Sequence, residues 1–83
     1  MGMRLYFTAT AEDELERLPG YLQKRIITKL ELYAKQSDPL EFAEPLTGSS
    51  YYRFRIGDYR VFFEVFSNTL WVLRIRRRDE AYR

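Results

Sequence analysis

A chain of 83 residues, 46% hydrophobic and 17% aromatic, has material for one core and too little length for two, so residues 1–83 read as a single domain. It contains no cysteine and no histidine, which excludes disulfide staples, ordinary zinc sites and an imidazole acid–base group. The net charge of +2 hides an asymmetry: residues 1–50 carry six basic and eight acidic side chains, whereas residues 51–83 carry eight arginines against four acidic groups.

The first segment, "MRLYFTAT", alternates as a short strand, with Leu5 and Phe7 on one side and Arg4 and Tyr6 on the other. Thr10, followed three residues on by Asp13, is an imperfect capping box and predicts a helix from Ala11 to about Arg17. Leu18-Pro19-Gly20 interrupts it. A second helix is expected from Pro19 to about Gln36, because Leu22, Ile26, Leu30 and Tyr33 recur at helical spacing and Ile27 and Ala34 widen that apolar face. Residues 39–50, "PLEFAEPLTGSS", hold two prolines and a glycine and read as irregular, with Leu40, Phe42 and Leu46 as core plugs. Three antiparallel strands follow, at approximately 51–56, 59–66 and 70–76. No apolar run approaches the ~18 residues of a membrane span, and the acidic turn after residue 11 does not suit a secretory signal, so a cytoplasmic protein without membrane contact is expected.

A two-residue turn at Gly57-Asp58 would pair Arg55 with Arg60 and Arg53 with Phe62, placing the three arginines on one face. Tyr52, Phe54, Ile56, Tyr59, Val61, Phe63 and Val65 then face the helices. A three-residue loop Ser67-Asn68-Thr69 would add Arg74 and Arg76 to the arginine face and send Trp71, Leu73 and Ile75 into the core. A two-residue loop Ser67-Asn68 would reverse that strand and bury an arginine at a cost of several kcal/mol, so the three-residue register is the one expected.

Like charges opposite one another across strands are unfavourable. An arginine face offset mainly by Glu64 therefore carries a stability cost that a polyanion would relieve. With no recognition helix in view, single-stranded RNA fits better than duplex DNA: guanidinium groups would grip phosphates while Tyr51, Phe62 or Tyr82 stacked on a base.

Three stretches, "LYFTATAEDELERLPGYLQKRI", "EPLTGSSYYRFRIGDYRVFFEV" and "WVLRIRRRDEAYR", resemble the RelE/ParE superfamily, the toxins of type II toxin–antitoxin systems. The resemblance implies an α+β fold of order β-α-α-β-β-β, a helical hairpin on a twisted, four-stranded, largely antiparallel sheet. For the RelE-like branch it implies cleavage of messenger RNA in the ribosomal A site by attack of a ribose 2′-OH on the adjacent phosphate. By motif position Arg53, Arg55, Arg60, one of Arg77 and Arg78, and Tyr82 match that branch's catalytic residues, with no cofactor and no metal. Arginines suit the developing charge on phosphorus but make poor general bases; Glu64, Tyr82, ribosomal RNA or no base at all remain open for the first proton. The ParE-like branch implies poisoning of DNA gyrase without a nuclease site, and a third possibility is a weak or inactive toxin that mainly binds its antitoxin. Each implies a cognate antitoxin, through which contact with operator DNA would be indirect.

Overall fold

A computed structural model describes residues 2–79, in which the elements follow one another as β1 (Arg4–Phe7), α1 (Ala9–Glu16), α2 (Gly20–Ala34), a 3-10 turn (Pro39–Phe42), β2 (Glu44–Pro45), β3 (Tyr52–Ile56), β4 (Tyr59–Phe66) and β5 (Thr69–Arg77). The strands form one sheet in the order β1-β5-β4-β3-β2, with β1 parallel to β5 and the other neighbours antiparallel. The two helices and sheet match the expected α+β class. The sheet has five strands rather than four, because two residues of the proline-containing segment pair with β3. Pro45 is tolerated there because β2 is an edge strand.

Helix α1 begins two residues earlier than expected. Thr8, not Thr10, is its cap: the Thr8 Oγ1 accepts from the Ala11 N–H at 3.2 Å and its hydroxyl donates to the Leu73 carbonyl at 3.1 Å. The Thr8 N–H also donates to the Val72 carbonyl, so one residue both ends the β1–β5 ladder and starts the helix. Helix α2 starts after Pro19 and buries Ile26, Leu30 and Ala34 against the sheet. The core contains these residues with Phe54, Ile56, Val61, Phe63, Leu70, Val72 and Ile75. In the loop that follows, Pro39 is buried and Leu40 packs on the core; Phe42, expected inside, is half exposed and stacks on Tyr33 at 5.2 Å. Among the described residues no helix is long and apolar enough to cross a membrane.

Both hairpins turn in two residues. Gly57 has φ +59° and precedes Asp58, matching a turn with positive φ at its first central position, where glycine is favoured. The register across it is the predicted one, from Tyr52↔Phe63 to Ile56↔Tyr59. At the second hairpin Ser67 and Asn68 both have positive φ (50° and 56°), the requirement of a type I′ turn. Phe66 therefore pairs with Thr69 rather than Leu70. The expected register nevertheless holds from Arg60↔Arg76 to Phe62↔Arg74, because a β-bulge at Leu73 shifts the pairing between Phe62 and Phe63. The bulge keeps Arg74 and Arg76 out of the core, while the two-residue turn reverses the expected facing of the residues between it and the bulge. Leu70 and Val72 are fully buried, Leu73 is the extra residue, and Trp71 lies on the face away from the helices.

Helix α1 completes the edge of β5 where β1 stops. The Glu14 carboxylate accepts the Ile75 N–H at 2.8 Å and holds the Arg74 guanidinium through its Nε and Nη2, at 3.1–3.2 Å. Its hydrogen bonds to Glu14 raise the Arg74 pKa above the ordinary guanidinium value. A raised pKa contributes stability that is present below the unfolded value and is lost only as pH rises through the folded one, so neutral-range pH changes leave the arginine's share intact. Replacing Glu14 separates the two functions. Glu14→Gln keeps an acceptor for Ile75 and is expected to cost less than about 1 kcal/mol, because the ion pair is partly exposed. Glu14→Ala orphans a partly buried N–H and is expected to cost about 1–3 kcal/mol in urea denaturation.

Candidate functional site

Strand alternation and the observed registers arrange the outer face of the sheet in three rows. The first runs Arg76–Arg60–Arg55 across β5, β4 and β3. The second runs Arg74–Phe62–Arg53–Glu44 and reaches the short edge strand β2. The third, nearest the β4–β5 turn, runs Tyr6–Trp71–Glu64. Successive rows lie about 7 Å apart, two residues at ~3.4 Å each.

Arg60 is the centre of the first row and is only 3% exposed. Its Nη1 donates to the carbonyls of Gly57 (3.3 Å) and Tyr59 (3.1 Å), which braces the β3–β4 turn. Its Nε–H has no hydrogen-bond partner, and no carboxylate pairs with this guanidinium among the described residues. An ionised group held out of water with a donor to spare is costly, and the cost is relieved when an anion arrives. Burial of Arg60 was not expected from alternation, which places it on the same face as the more exposed Arg55.

Arg53 and Arg55 converge on one carboxylate: the Nε of each lies 3.4 Å from the Glu44 Oε1. Glu44 was missed because it sits beside Pro45 in a stretch without periodicity, and only the β2–β3 pairing brings it to the arginines. Glu64, expected to be the main counter-charge, stands opposite Trp71, four residues or about 13 Å along β4 from Arg60. The carboxylates seen to pair with this face are Glu44, for Arg53 and Arg55, and Glu14, for Arg74. An anionic ligand entering at Arg53 and Arg55 has to displace or share Glu44.

The remaining sequence candidates divide. Arg77 pairs with Tyr59 and leaves on the helix side, where with Tyr21 and Arg25 it lines a cavity of about 170 Å³. It is therefore separated from Arg53, Arg55 and Arg60 by the sheet itself. Arg78 lies just beyond β5, with its N–H donating to the Asp58 carbonyl at 2.7 Å, next to the turn that Arg60 braces. Tyr82 lies outside the described residues. Arg76, absent from the motif match, is the residue directly opposite Arg60. The signal for it was the period-two alternation of β5, in which Arg74 and Arg76 share a face.

The family model described as the ParE toxin of type II toxin–antitoxin systems, parDE, matches residues 5–82. Toxin RelE3 of Methanocaldococcus jannaschii is 29% identical to the chain over 84 residues, covering 96% of each. Among solved structures, the RelB–RelE antitoxin–toxin complex from Methanococcus jannaschii superposes with a TM-score of 0.74 at 28% identity, over 93% of this chain and 94% of that one. The archaeal RelE–RelB complex from Pyrococcus horikoshii OT3 gives 0.73 at 25% identity, over 94% of this chain and 97% of that one.

Proposed function

The chain belongs to the ParE toxin family, within the RelE/ParE superfamily of type II toxin–antitoxin toxins, and on that premise we propose that it is a ribosome-dependent messenger-RNA endoribonuclease. The observation that carries this reading is Arg60: a nearly buried guanidinium whose Nε–H has no partner among the described residues, flanked by Arg55 and Arg76. Phosphoryl transfer calls for a cationic donor aimed at developing charge, whereas a gyrase poison needs no nuclease site. In the proposed reaction the ribose 2′-oxygen forms a bond to phosphorus and the P–O5′ bond breaks. The 2′-hydroxyl loses its proton, the departing 5′-oxygen gains one, and the products are a cyclic phosphate and a free 5′-OH. Arg60, Arg55 and Arg53 would bind the phosphate and stabilise the charge that accumulates on its oxygens. Arg76 extends that row, and Arg78 and Tyr82 are assigned to the same site by their motif positions. Arg77, on the helix side, is not part of it. No histidine is present, so orientation and charge supply most of the rate, with the ribosome contributing whatever base is used.

A cognate antitoxin is the first partner, as the neighbouring solved structures are toxin–antitoxin complexes. The ribosomal A site and its message are the second, and operator DNA would be reached only through the antitoxin. The second reading, a ParE-like gyrase poison, is favoured by the description of the matching family model and by strands free of lysine.

Induced expression followed by mapping of message 5′ ends, with and without the product of the adjacent gene, decides between them. The expected result is growth arrest with new 5′-OH ends inside A-site codons, suppressed by the partner. Intact messages with covalent gyrase–DNA complexes would establish the second reading. Normal growth without any partner would leave only antitoxin binding.

A further inference from the structure

The outer face is not arginine throughout. At the end nearest the β4–β5 turn it becomes aromatic: Tyr6 and Trp71 stack at 5.3 Å with their planes 26° apart, and Phe66, 69% exposed, lies on the same side of the sheet. Tyr6 is 49% exposed, so this pair is a shelf on the surface and not a piece of core. Arg4 precedes Tyr6 by two residues on one side of the shelf, and the Arg74–Phe62 row borders it on the other. The two-residue Ser67-Asn68 turn sets Trp71 on this face, away from the helices, and the bulge at Leu73 lets Arg74 and Arg76 share it. The half-exposed ring of Tyr6 and the partly exposed ring of Trp71 lie next to a row of guanidinium groups, and these are the two components of a single-strand binding surface: π-faces for bases and cations for the phosphates between them.

We propose that the Tyr6–Trp71 shelf stacks an unpaired nucleobase of the RNA strand whose scissile phosphate lies at Arg60. This deepens the endoribonuclease reading and rests on it. The occupant is RNA and not an apolar segment of a protein partner, because the shelf is continuous with Phe62 and the arginines and has cations at both ends, Arg4 and the Arg74 row, with Glu64 as the one acidic neighbour in its own row among the described residues. A base here lies two rows, about 13 Å, from Arg60, so it belongs to a nucleotide flanking the cleaved bond rather than to the reacting ribose. The shelf would then contribute to which codon context is cut while taking no part in the chemistry.

Trp71 is the only tryptophan in the chain, so its fluorescence reports on the shelf alone. The full-length protein is titrated at low salt with a short 2′-O-methyl RNA, which cannot be cleaved, end-labelled so that anisotropy follows binding separately. The expected result is quenching of Trp71 on binding, lost when one nucleotide of the series is abasic. Tyr6→Ala should weaken binding roughly tenfold, and Tyr6→Phe, which keeps the ring, should restore it. Far-UV circular dichroism checks the fold of each variant. No binding, binding without quenching, or a Tyr6→Ala variant with unchanged RNA affinity but weakened antitoxin affinity overturns the shelf. The parent reading fails differently, through absence of A-site cleavage in cells whatever the fluorescence shows.

Discussion

Arg60→Ala is expected to lose at least 100-fold in the proposed A-site cleavage, and with it growth arrest, while the chain still folds. The size follows from position. Removing one preorganised donor aimed at developing charge typically costs 10²–10³ in rate, and Arg60 is the central donor of the Arg76–Arg60–Arg55 row. Its Nε–H also has no hydrogen-bond partner among the described residues. The folding cost is smaller because two effects oppose. Truncation removes two hydrogen bonds to the turn carbonyls of Gly57 and Tyr59, and it also removes a buried charge with no counter-ion among the described residues. A net change within about 1 kcal/mol is expected, measurable by thermal melting.

Arg60→Lys separates charge from geometry. A lysine keeps the positive charge but cannot both bridge two carbonyls and direct a further N–H from a planar fork. It should therefore retain binding of the RNA better than it retains cleavage. Folded Arg60→Ala protein that cleaves messages at the normal rate would falsify the role given to this residue.

How much of this surface could be read in advance depended on whether one rule or two governed a strand. The β3–β4 hairpin obeys one: two residues in the turn, then strict alternation, so Arg53, Arg55 and Arg60 were correctly assigned to one face. On β5 two requirements compete. The Ser67-Asn68 turn demands one register, and the exposure of Arg74 and Arg76 demands the other. The bulge at Leu73 satisfies both, and a period-two pattern has no means of showing where an extra residue is absorbed. Trp71 was misplaced for that reason. Glu14 and Glu44 were illegible for another: each meets its arginine through tertiary packing or a two-residue strand, without local periodicity to announce it. The burial of Arg60 likewise depends on what surrounds it, which alternation does not encode.

Phe54→Ala is expected to cost about 3–5 kcal/mol, the largest stability effect of any single substitution considered for this chain. Phe54 is fully buried on β3, stacks on Phe63 at 4.3 Å and meets the ring of Tyr33 of α2 at 4.6 Å with the planes tilted by 31°. Truncation therefore leaves a ring-sized void and breaks two aromatic contacts, each worth about 0.5–1.5 kcal/mol beyond buried area. A chain of this length has roughly 4–12 kcal/mol of stability in total, so the loss is a large fraction of the whole. The melting temperature should fall by about 12–40 °C, at roughly 4–8 °C per kcal/mol for domains this small. Phe54→Leu, which refills part of the void, should lose clearly less. The substitution also bears on function, because Phe54 lies between Arg53 and Arg55 with its side chain on the opposite face of the same strand. Its packing against Tyr33 and Phe63 fixes the height of β3 and hence of both guanidinium groups. Cleavage by Phe54→Ala protein should fall in step with its folded fraction and recover on cooling, whereas cleavage by folded Arg60→Ala should be low at every temperature. If Phe54→Ala melts within a few degrees of the parent chain, the aromatic stack is not what holds the arginine face in place.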